Sequence, residues 1–161
     1  TKILMVALIA IMASCSKEGP QGPAGTNGTN GNANVQYSDW MAVNTWTGYG
    51  TATASFDWAV SNITQEVLDN AAVLIYYRYG TETQYKILPY FESVTRVFTG
   101  NFSVGHILLK YQHLDGGTVT PATDQNKFRY MIIPGNTHLR LKKPLNQMTY
   151  EEVCKLYNIP M

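Results

Sequence analysis

The stretch TATASFDWAV, residues 51–60, decides the fold class. Ala52, Ala54, Phe56, Trp58 and Val60 fall on one side of an extended chain, and Thr51, Thr53, Ser55 and Asp57 fall on the other. A period of two is the mark of a strand with one face in a core and one in water. Working outward, NITQEVLDN (62–70) predicts a short helical turn, with Thr64 as its N-cap and Asn70 as its stop. VLIYYRYG (73–80) and TQYKIL (83–88) read as two strands joined by a tight hairpin at Gly80-Thr81-Glu82-Thr83. VGHILLKYQH (104–113) sends Ile107, Leu109 and Tyr111 inward, and Asp115-Gly116-Gly117 then turns the chain. KFRYMII (127–133) is an apolar strand stopped by Pro134-Gly135, and THLRLKK (137–143) alternates again, with Leu139 and Leu141 against His138, Arg140 and Lys142.

The end differs in kind. Thr149-Tyr150-Glu151-Glu152 is a capping box, Val153, Leu156 and Tyr157 recur on one helical face, and Asn158 with Pro160 closes the element. A short amphipathic helix is therefore expected on or beside a sheet. The 11 tyrosines and the abundant threonine agree with β-structure. The expected fold over residues 35–161 is mostly β: a β-sandwich, immunoglobulin-like or jelly-roll-like, with a short C-terminal helix, and an open barrel as the second choice. A domain of about 127 residues buries roughly two thirds of its unfolded surface.

The N-terminal part is organised otherwise. After Lys2, ILMVALIAIMA (3–13) is an unbroken apolar run of 11 residues. A lasting transmembrane helix needs about 20, so residues 1–14 are expected to be an export signal. Met12-Ala13-Ser14-Cys15 resembles the lipobox of bacterial lipoproteins, which implies cleavage before Cys15 and lipidation of that cysteine. Behind it Gly19, Gly22, Gly25, Gly28 and Gly31 fall at a strict period of three, in the triplets GPQ-GPA-GTN-GTN-GNA. Proline occupies only the first two, short of the sustained repetition that stabilises a triple helix. Residues 15–34 are expected to form a disordered, hydrated tether, about 45 Å long if extended as polyproline II and roughly 20 Å as a coil. A trimer nucleated by the domain is the alternative.

Ser14-Cys15, Lys17-Glu18, the tract Gly19 to Gly31, the tetrapeptide Asn32-Ala33-Asn34-Val35 and the β-rich remainder together resemble the collagen-like lipoproteins of Bacteroidota. ITQEVLDNAAVLIYY, FRYMIIPG and TYEEVCKLYNI look like that group's domain. The resemblance implies an envelope location and a fold, with no established activity attached. Lys17-Glu18 resembles the basic-then-acidic signal that sends such lipoproteins to the cell surface, which implies an outer-membrane anchor with the domain facing outward.

Charge is sparse and balanced, 12 Lys and Arg against 11 Asp and Glu, so no field points to nucleic acid. The three histidines are His106, His113 and His138, and the first two, an odd number apart on one strand, face opposite ways. No HExxH, paired CxxC or calcium-loop spacing occurs, and the serines sit in no GxSxG elbow. No catalytic residue, metal or cofactor is therefore predicted. Asp115-Gly116-Gly117 and Asp124-Gln125-Asn126 are polar loop clusters that read first as turns. Cys154, the only other cysteine, reads as a small buried residue on a helix.

Trp46 and Tyr49, in the turn-like NTWTGYGT, are the candidates for an exposed ligand platform, whereas Trp58 shares a face with Phe56 and Val60 and reads as core. His138, Arg140, Lys142 and Lys143 form a basic edge of the kind that protects an edge strand. The expected function is a membrane-anchored envelope lipoprotein. Its β-domain serves binding, adhesion or structure, with a surface glycan or an envelope protein as partner; the alternative is a small hydrolase of envelope polymers.

Overall fold

A computed structural model describes residues 34–135, 141 and 143–161. The signal segment, Cys15 and the glycine triplets lie outside the described residues, as do His138, Arg140 and Lys142 and with them most of THLRLKK. The domain consists of two antiparallel sheets and a C-terminal helix. In the first sheet, β1 (Gln36–Tyr37) and β2 (Met41–Ala42) pair along one edge of β9 (Asn126–Pro134), followed by β4 (Ala71–Tyr79) and β5 (Lys86–Ile87). In the second, the order is β3 (Thr53–Ala59), β8 (His106–His113), β7 (Arg96–Ser103), β6 (Tyr90–Phe91). The stretch of residues 51–60 thus supplies an outer strand of the second sheet, paired with β8 from Thr53↔Gln112 to Ala59↔His106.

Strands β4 and β9 explain why their sequences are apolar without alternation. They pair over nine residues, from Ala71↔Pro134 to Tyr79↔Asn126, and each of their faces meets a different core. Ile75, Tyr77, Phe128, Tyr130 and Ile132 enter the interior between the sheets, against Phe98, Ile107, Leu109 and Tyr111. Leu74, Tyr76, Met131 and Ile133 point the other way, under Tyr150, Val153, Cys154 and Ile159. Strands covered on both sides read as continuous hydrophobic runs. The result is three layers: the second sheet, the first sheet, and the helix α2 (Tyr150–Tyr157).

Eight residues are too few for a helix to hold itself together in water, where about 12–15 are needed. Two devices compensate. The capping box forms as its sequence predicts: Thr149 Oγ1 accepts from Glu152 N–H at 3.2 Å, and a Glu152 carboxylate oxygen accepts from Thr149 N–H at 2.8 Å. The buried face of α2 then docks on the first sheet, each fully buried large apolar side chain contributing about 1.5–3 kcal/mol. Asn158 ends the helix in the left-handed conformation at φ 54°.

A polar pin joins these layers. Arg129 on β9 is 3% exposed, and its Nε donates to the Ser38 carbonyl at 2.7 Å. Its Nη1 donates to the Tyr150 hydroxyl and, at 2.7 Å, to the Pro160 carbonyl. Its guanidinium lies 4.8 Å from the centre of the Tyr37 ring. Among the described residues no carboxylate approaches it within salt-bridge distance. The cation is held by neutral oxygens and a ring face drawn from the first strands, the helix and the C-terminal tail.

Two features depart from the sequence expectations. The hairpin at Gly80-Thr81-Glu82-Thr83 is not tight, because β5 shrinks to Lys86–Ile87 and the connection from β4 spans residues 80–85. Tyr85 leaves the ladder to pack on Trp40 and Tyr150, and Gly80, at φ 53°, donates its N–H to the Gln125 carbonyl. The eight-residue strand β7, RVFTGNFS, carries a signal that alternation missed because Gly100 interrupts its inner face. That glycine lets the sheets meet: a Cβ there would lie 2.3 Å from Ile75 Cδ1.

Gly100→Val should therefore lower the unfolding free energy by about 1–3 kcal/mol through overpacking, read as an earlier urea midpoint with an unchanged slope. A second outcome concerns acid. Lys143 Nζ, 2.8 Å from the Glu152 carboxylate, and the Thr149 backbone N–H hold the Glu152 pKa below its ordinary value. A carboxylate depressed in the folded state adds stability above its unfolded pKa, and that contribution disappears as pH falls through the lower, folded value. Glu152→Gln should flatten the decline in thermal stability measured on acidification across the carboxylate range.

Candidate functional site

One end of the sandwich is closed by the segment linking β3 to β4. Ile63 is fully buried there; its N–H donates to the Val60 carbonyl at 3.0 Å, and its carbonyl accepts from Gly105 N–H at 2.7 Å. Ser61 and Asn62, between these anchored points, are pushed to the surface. Thr64 caps the helix α1 (Gln65–Asn70), with Oγ1 accepting from Val67 N–H at 3.2 Å as the sequence predicts. Beside this segment β1 brings in the chain from Asn34.

Between these elements lies a cleft of about 840 Å³, inside the roughly 300–1,000 Å³ typical of small-ligand sites. Its floor is apolar, made by Val67, Ala71, Ile132 and Pro134. Its walls are amides and hydroxyls: Asn34, Gln36, Ser61, Asn62 and Asn70. The side chains of these five make no hydrogen bond to another described residue, so their donors and acceptors stay open to a ligand. A narrower cleft of about 230 Å³ adjoins it, sharing Ser61 and Asn62 and bounded by Ser38, Trp58 and Tyr130. Trp58 and Tyr130 meet edge to face at 5.2 Å, and burial raises the pKa of the Tyr130 hydroxyl. Glu66 is the one charged side chain lining either cleft among the described residues.

The platform expected from Trp46 and Tyr49 does not form. Two hydrogen bonds of 2.8 Å between Thr47 and Ser55 fold the loop back along β3 and turn Trp46 inward. The indole is 8% exposed and packs against Phe98 and Phe128 at ring separations of 6.4 and 6.1 Å. Tyr49 alone projects from the loop tip, 57% exposed, at the opposite end of β3 from the clefts. Trp58, read as core, keeps the predicted face but lies near the end of its strand, where it is half-buried and borders the narrow cleft.

The remaining candidates are accounted for locally. His106 and His113 face opposite ways as predicted: His106 Nδ1 lies 2.9 Å from an Asp57 oxygen on the outer face, and His113 pairs with Asp115. Asp115 also accepts from Gly117 N–H at 3.3 Å, and Asp124 accepts from its neighbour Gln125 at 2.9 Å, so both loop clusters act as turns. Among the described residues no group of three His, Cys, Asp or Glu could hold a metal ion. Asp57, His106 and its cross-strand neighbour Ser103 share one face of the second sheet, outside both clefts.

The chain matches no family model, no curated protein and no solved structure.

Cys154 is 2% exposed, and burial raises its thiol pKa. The thiolate is the reactive form, so Cys154 should resist a water-soluble alkylating agent in the native protein and react fully in guanidinium, as counted by mass spectrometry.

Proposed function

We propose that this chain is an outer-membrane lipoprotein whose sandwich is a non-catalytic binding module held off the membrane by the glycine triplets and facing outward from the cell. The observation that carries this reading is the open, amide-lined cleft beside Asn34, at the end of the domain where the chain arrives from the tether. The apolar run of residues 3–13 and the Ser14-Cys15 junction support the anchor: acylation of Cys15 with two or more chains gives stable membrane residence, where one chain is marginal. No helix among the described residues is long and apolar enough to cross a membrane.

The cleft supports capture over cleavage. Glycoside hydrolysis by facing carboxyl groups needs two of them about 5–9 Å apart, and Glu66 has no second carboxylate beside it in the described lining. The partners are a membrane, through the lipid, and a surface glycan or an envelope protein, through the cleft. No basic residue of the described lining invites nucleic acid.

Cys15→Ala should leave an uncleaved or mislocalised precursor that carries no lipid. On intact cells the wild-type domain should be cut by added protease. A Cys15→Ala protein that is still lipidated and envelope-bound overturns the anchor, and cleavage only after the outer membrane is opened overturns the outward orientation.

A further inference from the structure

The two adjoining clefts have a chemistry that selects among ligands, and on the reading of the domain as a binding module we infer that they take an uncharged glycan. Three observations converge. A sugar carries hydroxyls that donate and accept at once, and a carboxamide offers an acceptor oxygen and two N–H donors in one plane. Asn34, Gln36, Asn62 and Asn70 bring four such groups to one concavity, none of them committed to another described residue. Beneath them Val67, Ala71 and Ile132 form an apolar floor, and Trp58 with Tyr130 borders the narrow end. A pyranose ring is likewise divided, with an apolar C–H face and a polar rim.

Charge sharpens the choice. An anionic polysaccharide would meet Glu66 and no Lys or Arg among the described lining residues, so the clefts favour a neutral sugar. A peptide is disfavoured by topology. Peptide capture by strand addition needs a free sheet edge of some length; these walls are mostly the ends of strands, with β3 stopping at Ala59, β9 at Pro134 and β4 beginning at Ala71, and the one sheet edge among them, β1, is two residues long. The recognising groups are side chains, and the side chains are amides.

The test uses the full lipidated chain in detergent micelles on an array carrying neutral oligosaccharides (glucose, mannose and N-acetylglucosamine tetramers), polygalacturonate fragments and unstructured octapeptides, followed by titration calorimetry of any hit. Binding to at least one neutral oligosaccharide is expected, insensitive to salt, weakened at least tenfold by Asn62→Ala and Asn70→Ala and unchanged by Tyr49→Ala. Trp58→Ala should weaken it as well; should that variant fail to fold, the two exposed asparagines decide, since neither is part of a core. Binding confined to polygalacturonate or to peptides overturns the inference, as does folded protein that binds no array member, or neutral-glycan binding that survives both asparagine substitutions. The outcome is separable from that of the anchor: a protein that proves unlipidated yet binds neutral glycan leaves the ligand class standing, and a lipidated surface protein that binds none removes the ligand class alone.

Discussion

Strands β4 and β9 are sandwiched between two apolar layers, and their nine paired positions are the frame on which everything else is hung. A strand pair buried on both faces has no solvent side to fix its register by polarity, so both layers must agree on one alignment. Here they do: Tyr77↔Phe128 and Ile75↔Tyr130 face the second sheet, while Leu74↔Met131 and Tyr76↔Arg129 face the helix. A one-residue slip would exchange the two sets and carry the Arg129 guanidinium from its oxygen cage into the aromatic interior. Desolvating that cation without its three oxygen acceptors would cost several kcal/mol, so the arginine helps to make the register unique.

Most of the layer structure was legible in the sequence where a pattern repeats. Alternation marked β3 and β8, the capping box marked α2, and largely apolar runs marked β4 and β9, although only the helix on their far face explains why alternation fails there. What escaped had no period. Strand β7 loses its signal at Gly100, whose value is the space it leaves for Ile75. The strands β1 and β2 are two residues each and exist because β9 offers them an edge.

The clefts were less legible, for a geometric reason. Parity along a strand tells which face a side chain takes, and Trp58 does take the inner face, but parity carries no information on distance from the strand's end. Trp46 shows the converse: a tryptophan in a loop of polar and small residues looks exposed until two hydrogen bonds to Ser55 turn it into the core. Asn62 and Asn70 were visible as the bounds of a helical turn. Their convergence with Asn34 depends on where β1 joins the sheet, a contact some hundred residues apart in sequence, Gln36 against Ile132.

That junction has a mechanical side. Asn34 and Gln36 line the same cleft that Asn62 and Asn70 line, so under the proposed anchoring and ligand a membrane at the N-terminus and a sugar in the cleft would pull on one end of the sandwich. Tension would run from the ligand through a few side chains into the first residues of β1 and across their short pairing with β9, at the Ala71–Pro134 end of the nine-residue ladder. A domain loaded in this way would meet a pull first at one end of its central ladder, where Gln36 is joined to Ile132.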